Sequence, residues 1–212
     1  MTVSSDIYYQ QGFAGADRPA AAILYDQAFG SKLGVAIPNR ETRLAVLEHS
    51  FQPQLCIAAF EADRLVGLAG FHTAEGSLTG GTLSGNMPET APKLGLWGGL
   101  RAALLLALYE RKAQPGELLM DGLVVHEDMR GRGVGSKLLE RLTQYGHEHG
   151  FDYIRLNVIN TNPAAKRLYE RRGFQEVRTT TFPYLKWLLG FSAETTMHLP
   201  LNTSPTDATS PT

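Results

Sequence analysis

One segment constrains this chain more than any other: Leu123-Val124-Val125-His126-Glu127-Asp128-Met129-Arg130-Gly131-Arg132-Gly133-Val134-Gly135-Ser136. An apolar strand, Leu118 to Val125, enters a loop with glycines at 131, 133 and 135, and a helix follows at once, Gly133 to His149, closed by Gly150. Glycine lets backbone N–H groups approach a ligand because no Cβ stands in the way. A helix N-terminus adds unpaired N–H donors and a partial positive charge. Together these make a seat for a phosphate or pyrophosphate, with Arg130 and Arg132 adding charge at its rim. The plainer alternative is a glycine-rich turn that only packs a helix on a sheet. A dinucleotide loop fails on spacing, since its third glycine would fall at Ser136 and five residues separate Val125 from Gly131. A P-loop is excluded because no G-K-[ST] is present.

A second cluster lies one strand and one helix downstream. Phe151 to Ile159 alternates as a strand, with Ile154, Leu156 and Val158 opposite Tyr153, Arg155 and Asn157. Asn162-Pro163 then opens a helix with a capping residue and a proline at its first position, and Gly173 ends it. Ala165, Leu168 and Tyr169 share one face of that helix. On spacing alone, Tyr169 is an amphipathic core residue.

These two clusters carry a resemblance to the GNAT superfamily of N-acetyltransferases. Its first signature, a strand ending L-x-V followed by [RQ]-x-x-G-x-[GA], stands here as Leu123-Val124-Val125 and Arg130-Gly131-Arg132-Gly133-Val134-Gly135. Its second, N-x-x-A-x-x-x-Y-x-x-x-G-F, stands here as Asn162, Ala165, Tyr169, Gly173 and Phe174. The match covers roughly residues 117 to 177, and the first seventy residues fit the family's order more loosely. The resemblance implies acetyl-CoA as co-substrate, with no metal. The loop from Arg130 to Gly135, running into Ser136, would hold the CoA pyrophosphate. The strand Leu123 to Val125 would pair with the pantetheine arm, and the N–H of Leu123 or Val125 would polarise the thioester carbonyl. Asn162 would sit beside the pantetheine, and Tyr169 would protonate the departing thiolate. The amine would attack directly, with no covalent enzyme intermediate. Asp121 is the candidate base, chosen for sharing the side-chain parity of Leu123 and Val125, with Glu117 or a water chain as alternatives.

Elsewhere the sequence predicts a strand at Ile7 to Gln11 and a helix from Pro19 to about Lys32, capped by Asp17. A helix capped by Asn39 follows over Glu41 to His49, with Leu44 and Leu47 on one face. Leu55 to Phe60 and Leu65 to Phe71 read as strands, residues 72 to 95 as a long loop, and Trp97 to Lys112 as a helix that is apolar nearly all round. Phe174 to Thr181 and Ala193 to Leu199 read as two final antiparallel strands. This order gives an α/β (α+β) fold in one domain, residues 1–200, with residues 201–212 a disordered tail. The resemblance implies a GNAT-like mixed, mostly antiparallel central sheet flanked by helices, with the extra helix inserted between strands 3 and 4. That helix caps the acceptor site, forms a homodimer interface or thickens the core. Phe182 to Leu188 is the other expected acceptor wall.

Bulk properties remove several classes. Net charge is −1 with 43% hydrophobic and 19% charged residues, so no nucleic-acid partner is expected. The first residues lack a secretory signal, and the most apolar stretch, Leu100 to Leu108, is short of the ~20 residues that span a bilayer. A cytoplasmic protein without a membrane partner is the expectation. The single cysteine, Cys56, sits in an apolar run and reads as buried and inert. His126 reads as structural or exposed, and the spacing of His147 and His149 does not suit a metal. The acceptor, a small-molecule or peptide amine, is left open. So are two competing readings: a catalytically silent acyl-CoA sensor and a nucleotide-binding oxidoreductase.

Overall fold

A computed structural model of the chain describes residues 6–79, 113–182 and 190–202. The helix expected over Trp97–Lys112, most of the 72–95 loop, the acceptor wall beyond Phe182 and the tail from residue 203 lie outside the described residues.

β1 (Ile7–Gln11) leads through a 3₁₀ turn into α1 (Arg18–Ala36), followed by α2 (Arg40–Ser50). β2 (Cys56–Glu61), β3 (Arg64–Thr73) and a two-residue β4 (Gly76–Ser77) come next. After the gap stand β5 (Glu117–Val125), α3 (Val134–Glu148), β6 (Tyr153–Ile159), α4 (Pro163–Arg171), β7 (Gln175–Thr181) and β8 (Ala193–Pro200). The strands form one sheet in the order β1-β2-β3-β5-β6-β8-β7, with β4 paired to β3. Every pairing is antiparallel except β5 with β6, which is parallel.

The sheet buries both faces. Under α1 and α2 lie Leu24, Tyr25, Leu47, Phe51, Phe60, Leu68 and Val124. Under α3 and α4 lie Val66, Phe71, Leu118, Met120, Leu138, Leu142, Ile154, Leu156, Tyr169 and Met197. Period-2 alternation sorts β6 as the sequence requires: Ile154, Leu156 and Val158 are buried, and the residues between them are half-buried.

Asn39 caps α2 as read, its Oδ1 accepting from the Thr42 N–H at 2.8 Å. Asp17 precedes α1 but makes no side-chain cap bond. α1 also runs past Lys32 to Ala36, and a buried ion pair ties it to α2. Asp26 accepts from Arg43 Nε at 2.5 Å and from Arg40 Nε at 3.1 Å, tying α1 to α2. A Cβ at Gly30 would stand 2.7 Å from the Asp26 carboxylate, so glycine there is what lets the network form inside a continuing helix. The expected loop after Phe71 in fact begins as strand: β3 continues through His72 and Thr73, which pair with β4. At the C-terminus Leu201 is buried and its N–H donates to Asp152 O at 2.8 Å, so the ordered core reaches one residue into the segment read as tail.

Candidate active site

The glycine loop is anchored at its start and open at its end. His126 caps a 3₁₀ turn over Glu127–Met129, and the Met129 side chain is fully buried. Beyond it, Gly131 and Gly133 take φ of +77° and +83°, left-handed conformations that disfavour any side chain. A Cβ at either would meet nothing within 4 Å, so the backbone faces open space. Lys137 makes the first intrahelical bond of α3, to Gly133 O at 3.0 Å. The N–H groups of Val134, Gly135 and Ser136 therefore have no helical acceptor and point toward the loop. The two arginines differ: Arg132 is paired with Glu61 at 3.3 Å, whereas Arg130 has no carboxylate partner among the described residues and donates from Nε to Val125 O at 3.4 Å.

Beside the loop, the sheet opens. β5 and β6 pair only over Glu117–Leu119 and Tyr153–Arg155; beyond that point the ladder stops. The N–H of His126 donates to Val66 O on β3 at 2.9 Å. Alternation then turns the backbone groups of Val124 toward β3 and those of Leu123 and Val125 toward the opened edge. The first turn of α3 adjoins this edge, because a Cβ on Gly135 would lie 3.6 Å from Val125 and 3.7 Å from Leu123. Phosphate cradle and free strand edge are thus contiguous, with room and donors that fit a pyrophosphate continued by an extended amide-bearing arm.

α4 closes the other side. Asn162 accepts from the Ala165 N–H at 3.1 Å, as a helix cap, and is itself exposed. Tyr169 is 6% exposed and packs on Phe174 at a ring distance of 5.8 Å. Burial pushes its phenol up to about 12. Among the described residues its hydroxyl has no hydrogen-bond partner.

The parity argument for Asp121 is overturned. The β3–β5 register passes from Gly70↔Gly122 to Phe71↔Met120, leaving Asp121 as the extra residue of a β-bulge. The bulge reverses which residues face which helices. Met120 packs with Leu123 and Val125 on the α3 side, whereas Asp121 faces the α1 side with His72. His72 Nε2 stands 3.5 Å from Asp121 Oδ1, and the Thr79 hydroxyl donates to Oδ2 at 3.3 Å. Nothing in the sequence marked His72 or Thr79, since only the β3–β4 return brings them to Asp121.

Glu117, the alternative base, is held in a buried ion pair. It is 2% exposed and accepts from Arg155 at 2.7 Å and from Tyr153 at 3.1 Å. Tyr153 stacks on His198 at 4.7 Å, and burial pulls the His198 imidazole below its ordinary value. On the same face Asn157 donates to Thr196 at 3.4 Å, and its buried Oδ1 has no partner among the described residues. Asp121 and Asn157 each lie two residues beyond the last β5–β6 pair, so they flank the opening from either side.

The remaining residues named from the sequence are placed as follows. Cys56 is buried, and burial pushes its thiol up to about 12. The His126 ring accepts from the Asp128 N–H at 3.4 Å, while His147 and His149 are exposed. Among the described residues no group of three or more His, Cys, Asp or Glu is placed to hold a metal, and no helix is long and apolar enough to cross a membrane.

A mixed sheet split between two parallel strands, with a glycine loop and a helix N-terminus at the split, is the architecture of acyl-CoA-dependent acetyltransferases. A profile of the acetyltransferase (GNAT) family matches residues 24–174, and the chain belongs to that family. A probable N-acetyltransferase named camello, from Xenopus tropicalis, is 35% identical over 69 residues, which is 32% of this chain and 32% of the relative. A putative acetyltransferase from Salmonella typhimurium, solved with its cofactor acetyl-CoA, superposes with a TM-score of 0.58 at 18% identity, over 96% of this chain and 99% of that one. The ribosomal-protein-S18-alanine N-acetyltransferase from Escherichia coli superposes at 0.56 and 16% identity, also over 96% and 99%. At these identities the structural matches establish the fold.

Proposed function

We propose that this protein transfers an acetyl group from acetyl-CoA to an amine within a ternary complex. The observation that carries the proposal is the opened β5–β6 ladder, with the free edge of Leu123 and Val125 running into the donor-rich start of α3. Acetyl-CoA supplies the activated acyl group as a thioester. The N–H groups of the Gly131–Ser136 stretch bind the pyrophosphate, and Arg130, without a carboxylate partner among the described residues, adds positive charge. Leu123 and Val125 hold the pantetheine arm as a strand holds a strand, and one of their N–H groups stabilises charge on the thioester oxygen. Asn162 and α4 line the far side of the arm.

Tyr169 donates a hydrogen bond to the departing sulfur. With its phenol near 12, it stays protonated across the working pH range. The acceptor enters from the α1 face, where Asp121 and His72 offer groups that can take its proton. The family relatives leave the acceptor open, so the test is a panel: free amino acids, polyamines, peptides with a free N-terminus and lysine peptides, each assayed for CoA release. Acetyl-CoA-dependent release with at least one class supports the proposal. Tight binding of acetyl-CoA without release on any amine would replace it with a binding function alone.

A further inference from the structure

Asp121 is the acidic residue beside the opening, yet its carboxylate is already engaged at both oxygens. Thr79 donates to Oδ2 at 3.3 Å, and His72 Nε2 lies 3.5 Å from Oδ1. Both side chains are about one-fifth exposed, 18% for His72 and 20% for Asp121, so the pair reaches solvent without being freely solvated. Because Asp121 is the bulged residue of β5, its side chain is delivered to the α1 face at the split rather than into the α3 core. The His72 ring, on the neighbouring strand and the same face, turns Nε2 toward Asp121 at 3.5 Å, an ion-pair contact, and leaves Nδ1 without a partner among the described residues.

We infer that His72 is the catalytic base of acetyl transfer and that Asp121 is its positioning residue. The inference rests on the acetyl-transfer reading above and assigns the proton acceptor within it. An imidazole, ordinarily near 6.5, suits proton transfer at neutral pH better than a carboxylate, ordinarily near 3.9. Asp121 faces Nε2, which leaves Nδ1 to take the proton, and its charge stabilises the imidazolium once it forms. The first proton of the attacking ammonium passes to His72 and then to solvent. The nitrogen forms its bond to the carbonyl carbon and the C–S bond breaks. The second proton lost from nitrogen ends on the CoA sulfur, so atoms and charge balance.

Among the described residues, the other groups facing the pair do not compete for that proton. The Tyr25 phenol of α1 lies behind Asp121, and burial together with the Asp121 charge holds its pKa well above the ordinary value. Ser77 of β4 and Thr79 are uncharged. Glu117, four residues back on β5, is occupied by Arg155 and Tyr153.

The experiment compares the parent with His72→Gln and Asp121→Asn, using the fastest amine of the panel. The readouts are kcat/KM against pH, acetyl-CoA affinity by calorimetry, melting temperature, and the His72 titration by NMR of labelled imidazole. In the parent, kcat/KM rises with pH along an acidic limb and then levels. His72→Gln loses about a hundredfold or more, within the range for general bases, at parental acetyl-CoA affinity and melting temperature. Asp121→Asn loses less, about tenfold, and moves both the NMR titration and the acidic limb to lower pH, because the imidazolium has lost its counter-charge. A His72→Gln variant within about twofold of the parent overturns the inference, as does a His72 titration unmoved by Asp121→Asn. If no amine releases CoA, the acetyl-transfer reading and this inference fall together; turnover with His72 dispensable sinks only the inference.

Discussion

Replacing Tyr169 by Phe separates the chemical from the structural role of that ring. The phenol stands near 12 and a free thiol near 8.5, so full proton transfer to a CoA thiolate is uphill by about 3.5 units, roughly 5 kcal/mol. A hydrogen bond to a charged group needs no such transfer and contributes about 1.5–3 kcal/mol. Its loss therefore lowers kcat by roughly 10- to 150-fold. The fold should hardly respond. The ring and its contact with Phe174 remain, and the hydroxyl that disappears has no partner among the described residues, so the stability change stays below about 1 kcal/mol. Steady-state kinetics, calorimetry with acetyl-CoA and thermal melting on this one variant give all three quantities. A kcat within about twofold of the parent refutes the leaving-group role, and a large fall in melting temperature with unchanged kcat assigns Tyr169 to packing alone.

Two further perturbations test the frame. Asp26→Ala strips the carboxylate from Arg43, whose side chain is 9% exposed, and chemical denaturation should show about 3–5 kcal/mol lost, as for other broken buried pairs; a loss under about 1 kcal/mol would mean α1 and α2 are held otherwise. Cys56 is protonated in the folded state up to about pH 12 but ionises near 9 when unfolded, so stability is full below pH 9 and falls as pH rises toward 12. Cys56→Ala should flatten that alkaline limb, and a thiol reagent at pH 8 should label the folded parent far more slowly than the denatured chain; equal labelling rates would contradict the burial.

The parts legible in the sequence are those fixed by neighbours along the chain. Asn162 with Pro163, Asn39, and the Gly131–Gly135 run are caps and turns whose partners lie within a few residues, and each stands where its spacing put it. The β6 alternation survives because that strand is regular. The parity argument for Asp121 failed for a non-local reason: the bulge exists only in the register between β3 and β5, and one extra residue exchanges the two faces. His72 and Thr79 were missed likewise, since β4 is two residues long and is defined by pairing rather than by pattern. α1 runs four residues past its expected end, and the Asp26–Arg43 pair that ties it to α2, seated where Gly30 lacks a Cβ, joins residues that no local spacing displays.

The central claim, that the opened strand edge and the α3 N-terminus seat acetyl-CoA, is tested most directly by calorimetric titration of acetyl-CoA into the parent, Gly133→Ala and Gly133→Glu. Both substitutions carry the strain of a side chain at φ +83°, about 1–2 kcal/mol, but only the second places a carboxylate where the pyrophosphate should lie. The account predicts one equivalent bound by the parent, a modest loss for Gly133→Ala, and at least about a further tenfold weakening for Gly133→Glu, diminishing as salt is raised. No binding by the parent, or equal affinity in both variants, would contradict it.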